Sequence, residues 1–266
     1  RFTKLMDQMY RIRGLIATSG AGTSMLRPNP VVLWLCGETG CGKSSIIWPL
    51  MMSCLAKMGI EKFDKAQEAI YFRYAADGNK NWDGFHSGVK IAVIDDIFTK
   101  KDDLSNPNLE VDEVIRMADN TSMSVPMAHL ADKGVTHFEA MLVIWTSNRR
   151  HFDFPTRTNP EAVKSRVNIK LSVEPKPEFA ETVMVGNETI TRINKSAVQE
   201  ALAAGRSLQE FVKFTELDPT SAGDRVVREL DFEEVLEIVW SAVSANNNRF
   251  ELMQDSMQAY FEQCVK

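Results

Sequence analysis

The feature that most constrains this chain is an apolar run that ends in a glycine-rich loop. Residues 31–36 are all apolar, and residues 37–44 then read GETGCGKS. This order matches the pattern GxxxxGK[ST], in which a buried strand, a phosphate-binding loop and a helix follow one another. The glycines let successive main-chain N–H groups face a phosphate, and the start of the helix adds its positive dipole end. The sequence therefore predicts a site for a nucleoside triphosphate.

Two side chains of this loop have specific expected roles. Lys43 is expected to reach the β- and γ-phosphates, and Ser44 to coordinate Mg²⁺. The main chain of the loop is expected to surround the phosphates. The predicted nucleotide-binding residues are Gly37, Glu38, Thr39, Gly40, Cys41, Gly42, Lys43, Ser44 and Ser45.

A second candidate site is the segment KIAVIDDIF at residues 90–98, an apolar strand that ends in Asp95 and Asp96. Asp95 is expected to hold the water shell of Mg²⁺, and Asp96 to polarise the attacking water. Adjacent carboxylates are also common in solvated turns, which is the alternative interpretation. The apolar residues that precede the pair, in a chain that already has a phosphate loop, favour the metal site.

A third candidate is MLVIWTSNRR at residues 141–150, where another apolar strand ends in a polar cluster. Asn148 is suited to hydrogen bond both the γ-phosphate and the water, because its amide is donor and acceptor together. The alternative is an ordinary turn cap. Arg166 stands just before the last predicted strand, in a suitable place for a guanidinium that reaches across a subunit interface to transition-state charge. Asp96, Asn148 and Arg166 form the predicted catalytic set.

Beyond Val31, short apolar strands alternate with longer mixed segments, which is typical of a three-layer α/β domain with a parallel sheet. The predicted strands are 31–36, 70–74, 90–94, 141–145 and 167–173, and the predicted helices are 43–57 and 109–119. The prolines of EPKPE, residues 174–178, cannot donate to a central strand, so a domain boundary is expected there. We therefore predict a core at 25–175 and an α-rich C-terminal part at 176–266, with helical signals in 196–214, 232–245 and 250–265.

The two ends of the chain carry amphipathic patterns. Residues 1–24 are predicted to be a helix and a flexible connector, with the helix docked on protein or, alternatively, lying on a membrane surface. Residues 249–266 place aromatic and methionine side chains along one side of a helix. Such a stripe is usually core, and the alternative is docking into a groove on the next subunit.

The composition of the chain limits the classes of protein to which it can belong. With 266 residues and 44% hydrophobic content, the chain is expected to bury one large core and a smaller appendage. The net charge of −5 excludes a uniformly basic surface, so a polyanion must meet a local basic feature. The four cysteines fall in no CxxC pair, which favours a reducing compartment without a zinc site. No stretch has the length and apolarity of a membrane-spanning helix, and the first residue is Arg1, so we expect a segment of a longer precursor.

The order of these motifs resembles the superfamily 3 helicases of small viruses. Within that superfamily, WDGF at 82–85, VIDDI at 93–97, PMAHLADKG at 126–134 and TSN at 146–148 are similar to the picornavirus-type nonstructural helicase-ATPase. The similarity covers residues 31–173 and is weak beyond them. Two departures are the absence of a cysteine-rich zinc segment and the presence of Ser165-Arg166 where many members have paired arginines.

The resemblance implies an AAA+-like P-loop fold that hydrolyses ATP with Mg²⁺ as a ring, usually a hexamer, with Arg166 acting on a neighbour's nucleotide. It also implies single-stranded RNA in the ring pore, other viral replication proteins as partners, and membranous replication complexes in the host cytoplasm. Membrane association is expected through a region upstream of this chain. Lys133 is the candidate for RNA phosphate contact, with Lys80 and Lys90 as weaker candidates, and a solvated lysine is the alternative.

Three functional classes stay open on the sequence alone. The first is an ATP-driven RNA helicase or translocase. The second is an ATPase that acts as an RNA chaperone or remodels membranes or assemblies without processive unwinding. The third, disfavoured by the compact motif spacing, is a cellular AAA+ protein.

Overall fold

The computed structural model describes residue 9 and residues 26–75, 81–129, 132–152, 154–159, 161–186, 188–221 and 223–265. The strands are β1 (Val31–Cys36), β2 (Ile70–Tyr74), β3 (Ile91–Asp95), β4 (Leu142–Ser147), β5 (Ile169–Pro175), β6 (Ala180–Val185), β7 (Glu188–Ile193), β8 (Val212–Leu217) and β9 (Val226–Leu230). The helices are α1 (Lys43–Lys57), α2 (Phe63–Glu68), α3 (Glu110–Met117), α4 (Glu161–Lys164), α5 (Lys195–Ala203) and α6 (Phe232–Val265), with 3₁₀ turns at Pro177–Phe179 and Leu208–Glu210.

A seven-stranded sheet in the order β2-β3-β4-β1-β5-β8-β9 forms the centre of the molecule. The first five strands of this order run parallel, and β8 and β9 extend the sheet in antiparallel pairing. Because the parallel strands share one direction, their carboxyl ends meet at one edge of the sheet, where ligands bind in open α/β folds. β6 and β7 form a separate two-stranded sheet.

The alternating side chains of β1 show why the fold has three layers. Leu33 and Leu35 point into one apolar core, which also receives α1 and the first half of α6. Val32 and Trp34 point into the other core, on the side of α3. A strand that is apolar on both faces is stable only when both faces are covered. The predicted three-layer α/β fold with a parallel sheet is confirmed.

The WDGF segment has a structural place in the second core. Trp82 is fully buried and stacks on Tyr71, with ring centroids 5.3 Å apart. Its indole N–H donates to Glu113, and its main-chain N–H donates to the carbonyl of Pro126. The motif therefore joins β2, α3 and the PMAH segment at residues 126–129.

The predicted strand and helix positions agree with the structure to within a few residues up to residue 173, and α1 has the predicted bounds. Beyond that point two predictions were wrong. β5 continues to Pro175, which pairs with Val212, because a proline at the last position of a strand leaves the earlier ladder hydrogen bonds intact. The predicted helix 196–214 ends at Ala203, and Val212–Leu217 is a strand. The helical signals in 232–245 and 250–265 are confirmed, and both segments belong to the single helix α6.

The C-terminal region is thus less helical than expected and is tied to the core. It contributes β6, β7, β8 and β9 as well as α5 and α6, and β8 hydrogen bonds to β5 across the predicted boundary at 175. The predicted N-terminal helix and connector, residues 1–24, lie outside the described residues apart from Met9. Lys80 also lies outside them. No helix in the described ranges is long and apolar enough to span a membrane.

Candidate functional site

The phosphate-binding loop lies at the carboxyl edge of the sheet, between β1 and α1. Gly37, Gly40 and Gly42 have φ angles of 158°, 80° and 106°. The last two lie in the left-handed region that favours glycine, because in other residues the Cβ comes too close to the main chain there. A Cβ on Gly37 would lie 2.5 Å from the carbonyl oxygen of Val173 in β5. The loop therefore needs glycine for its turns and for its close approach to β5.

Lys43 is buried and folded back onto its own loop. Its ammonium donates to the carbonyl oxygens of Gly37 at 2.7 Å and Glu38 at 3.0 Å. It also donates to Oδ1 of Asn148 at 2.9 Å. A buried charge must be hydrogen bonded, and these acceptors satisfy it. The ammonium is therefore held at the loop, next to the end of β4.

The acid pair lies beside Lys43 because β3 and β4 are paired in register. Thr146 links the two acids: its hydroxyl donates to Asp95 and accepts the main-chain N–H of Asp96 at 2.9 Å. Asp96 has φ 52°, a left-handed conformation that aspartate tolerates better than most residues. Asn148 completes the group, since its side-chain N–H₂ donates to Oδ1 of Asp96 at 3.3 Å. The side-chain amide of Asn148 therefore bridges Lys43 and Asp96.

These groups line one open cleft of about 1200 Å³. From the predicted set, the structure brings together at this cleft Glu38, Thr39, Gly40, Gly42, Lys43, Ser44, Ser45, Asp95, Asp96 and Asn148. Gly37 and Cys41 are buried in the loop and do not line the cleft. The Cys41 thiol faces the apolar core, where burial raises its pKa, so it is protonated at neutral pH.

The two other predicted site residues lie away from this cleft. Arg166 follows α4, is half-buried and donates to the carbonyl oxygen of Ala162 at 2.8 Å. Lys133 is exposed beside Gly134, which has φ 75° in a turn. Lys90 immediately precedes β3, at the end of the sheet opposite the phosphate loop. A role for Arg166 at a nucleotide would therefore involve another copy of the chain.

The cleft has a second wall that sequence reasoning missed. It is formed by the end of β6, by β7 and by α5, and its lining side chains are Val185, Ile190, Arg192, Ile193, Lys195, Val198, Gln199 and Leu202. No local motif marks these residues. The role of Thr146 was also missed, although its position two residues before Asn148 gave a signal, since alternate residues of a strand share a face.

The donor set at the cleft fits a magnesium ion that is held partly by substrate. Ser44 and Asp95 offer oxygen atoms, the ligand type that Mg²⁺ prefers. Within the described ranges, no group of three or more His, Cys, Asp or Glu side chains is placed to hold a metal by itself. Mg²⁺ commonly binds through one or two protein ligands together with substrate phosphates.

Comparison with known proteins gives a consistent result. A family model described as RNA helicase matches residues 33–149. The replicase polyprotein of Drosophila C virus (strain EB) is 31% identical over 256 residues, which is 93% of this chain and 14% of the polyprotein. That of acute bee paralysis virus (strain Rothamsted) is 30% identical over 265 residues, or 98% of this chain and 14% of the polyprotein. That of cricket paralysis virus is 35% identical over 153 residues, or 58% of this chain and 8% of the polyprotein. The chain thus spans about 14% of the length of the first two relatives.

Proposed function

Because residues 33–149 of this chain are a domain of the RNA helicase family, we propose that the chain is a viral nonstructural ATPase of helicase superfamily 3. It hydrolyses ATP with Mg²⁺ and uses the energy to move or remodel RNA during genome replication. The observation that carries this proposal is the convergence of Lys43, Ser44, Asp95, Asp96 and Asn148 on one cleft.

The proposed mechanism assigns one task to each group. Lys43 leaves its contacts with the loop carbonyls and turns to the β- and γ-phosphates, since a triphosphate offers a stronger charge partner than neutral carbonyls. Asp96 accepts a hydrogen bond from the attacking water, and Asn148 orients that water against the γ-phosphate. Ser44 and Asp95 would hold Mg²⁺, which when bound neutralises charge that develops on the phosphate oxygens.

The chemistry is tested by ATP turnover of purified protein with Mg²⁺. Lys43→Ala is expected to lower kcat/KM by about 10²-fold or more, since it removes a buried cation from the phosphates. Lys57→Ala, in the last turn of the same helix, is the matched control and is expected to leave turnover unchanged. A loss of less than about tenfold in Lys43→Ala would contradict the assigned role.

Arg166 is proposed to act in trans on the nucleotide of a neighbouring subunit in a ring, and mixing subunits in defined ratios tests this role. Lys43→Ala and Arg166→Ala subunits are each expected to be inactive alone. In an equal mixture, about one quarter of random interfaces combine an intact loop with an intact Arg166, so activity should return. Two inactive variants that stay inactive when mixed would exclude action in trans.

We propose that single-stranded RNA passes through the ring pore and that Lys133 contacts its phosphates there. Lys133→Glu is expected to reduce RNA-stimulated ATP turnover and to leave basal turnover unchanged, because the residue lies outside the cleft. Lys62→Glu, an equally exposed lysine before α2, is the control. Equal RNA stimulation in both variants would remove Lys133 from the proposal.

Strand displacement separates the leading function from its alternative. A helicase is expected to displace a duplex strand in an ATP-dependent way, and Lys43→Ala should abolish that activity. ATP turnover that RNA stimulates without displacement would instead identify an RNA chaperone or a remodelling ATPase.

The proposal extends to the setting of the protein. We place it on membranous replication complexes in the host cytoplasm, with other viral replication proteins, and with attachment through residues upstream of this chain. The likeness to viral replicase polyproteins supports this setting. In a liposome flotation assay, a longer polyprotein segment should float with the vesicles and this chain alone should not. Flotation of both would overturn the assignment of the anchor.

A further inference from the structure

The second wall of the cleft, formed by the end of β6, by β7 and by α5, carries exposed apolar side chains. Val185 and Leu202 are 56% and 42% exposed, although both are aliphatic, and both line the cleft. Ile190, Ile193 and Val198 add to the same surface. The opposite wall, at the ends of β1, β3 and β4, is polar. The cleft therefore has a polar wall and a mainly apolar wall, although Arg192, Lys195 and Gln199 also line the second.

The apolar wall is fixed to the phosphate loop by hydrogen bonds that main-chain N–H groups of β7 donate. In β7, the N–H of Ile193 donates to the carbonyl of Gly40 at 2.9 Å, and the N–H of Thr191 donates to a carboxylate oxygen of Glu38 at 3.0 Å. The side chain of Ile193 also packs closely on the main chain of Gly42, because a Cβ added to Gly42 would lie 2.6 Å from its Cδ1. The wall and the loop thus form one surface.

The strand order gives the direction of a bound nucleotide across this surface. The acids of β3 and the amide that follows β4 lie on one side of β1, where the terminal phosphate is proposed to react. β5 lies on the other side of β1, and β7 packs beside it. A triphosphate whose γ end lies at Asp95 and Asp96 must therefore direct its nucleoside toward β7 and α5.

We propose that β7 and α5 form the nucleoside subsite of the cleft, in which Ile190, Val198 and Leu202 contact the faces of the base and the ribose. Gln199 lines the same wall and brings an amide, whose donor and acceptor groups match the edge of a purine. This inference rests on the proposed ATPase function. It predicts that part of the affinity for ATP comes from apolar contact with the nucleoside and is independent of the phosphate loop.

The test compares ATP with inorganic tripolyphosphate, which lacks a nucleoside. Binding of each ligand with Mg²⁺ is measured by calorimetry on the whole chain. Leu202→Glu is expected to weaken ATP binding at least about tenfold and to leave tripolyphosphate binding unchanged, because the carboxylate would face the base and lose part of its hydration when ATP binds. Met184→Glu, a 76% exposed residue of β6 that does not line the cleft, is expected to change neither affinity.

The milder Leu202→Ala provides a second reading if the glutamate variant fails to fold, with an expected loss of about threefold for ATP alone. Equal weakening of both ligands, or unchanged ATP binding in both Leu202 variants, would overturn the subsite. Equal affinity of the unaltered chain for ATP and tripolyphosphate would overturn it as well. Failure of the unaltered chain to bind either ligand would instead refute the proposed ATPase, so the two failures are distinguishable.

Discussion

The two walls of the cleft differ in how the chain builds them. The polar wall consists of the phosphate-binding loop, the start of α1 and residues at or just beyond the ends of β3 and β4, which are parallel strands in the buried centre of the sheet. The apolar wall consists of a two-stranded sheet and a helix of nine residues, with largely exposed side chains. The polar wall is held in place by the core of the sheet, and the apolar wall is held in place by its contacts with the phosphate loop.

This difference separates chemistry from recognition. Groups that take part in phosphate cleavage need positions held to a fraction of an ångström, which a buried parallel sheet provides. A surface that contacts a base through apolar atoms tolerates more variation, because apolar contact is not directional. Substitutions on the polar wall should therefore change turnover, and those on the apolar wall should change affinity.

Gly42→Ala at the contact between the walls has the largest expected effect. The residue has φ 106°, and its Cβ would lie 2.6 Å from Ile193 and 2.8 Å from Val212. Positive φ and overpacking together should lower the free energy of unfolding by roughly 2 to 5 kcal/mol. Equilibrium unfolding in denaturant measures this change in the free energy of unfolding. Gly59→Ala, at φ 84° with no atom within 4 Å of the new Cβ, isolates the conformational part and should cost only about 1 to 2 kcal/mol.

A cost in Gly42→Ala no larger than that in Gly59→Ala would show that the walls are not packed together there. The double substitution with Ile193→Ala sharpens the result. Part of the loss should be recovered, because the nearest clashing atom is gone, and non-additivity measures the coupling.

Asp95→Asn on the polar wall should lower kcat for ATP by about 10²-fold, since it removes the charge proposed to hold the metal's water shell. The affinity for ATP should change far less, because the loop and Lys43 remain. Steady-state turnover and calorimetry separate the two quantities. Asp64→Asn, an exposed aspartate of α2, is the control and should behave as the unaltered chain. An unchanged kcat in Asp95→Asn would refute the role of this acid.

The polar wall was predictable from sequence because its information is local. In GETGCGKS the glycines and lysine occupy fixed offsets on one turn, and in VIDDI the acids directly follow a buried strand. The carboxyl ends of strands that share a direction meet at one edge of a sheet, so the sequence predicts Asp95 and Asn148 near Lys43. The fold of residues 31–173 followed from the same alternation of apolar strands and helices.

The apolar wall and its region were not predictable in the same way. Val212–Leu217 is a strand because β5 offers it a free edge, and this contact joins residues far apart in sequence. Periodicity cannot detect such an edge. The helical signals in 232–245 and 250–265 leave a gap that contains the asparagines at 246–248. α6 nevertheless continues through them, and the side chain of Asn246 donates to the carbonyl of Asn29 at 3.0 Å.

Thr146→Val is expected to have an intermediate effect, confined to turnover. The hydroxyl donates to Asp95 and accepts from the main-chain N–H of Asp96, and valine keeps the shape without either bond. Loss of this link should lower kcat about tenfold, because each acid loses its positioning partner. Thr146→Ser keeps the hydroxyl and should recover most of the activity. Equal activity in the valine and serine variants would show that the link is dispensable.

Glu38→Ala has the smallest expected effect and tests the attachment of the apolar wall directly. Its carboxylate accepts the N–H of Thr191 at the exposed surface, so its loss should change the free energy of unfolding by less than about 1 kcal/mol. Affinity for ATP should fall about threefold, since β7 loses one of its two bonds to the loop, while affinity for tripolyphosphate should stay the same. Calorimetry with both ligands measures this, and Glu61→Ala, an exposed acid before α2, is the control. A matching loss for tripolyphosphate would mean that Glu38 acts on the phosphate loop itself, and the two walls would then not be separable by ligand.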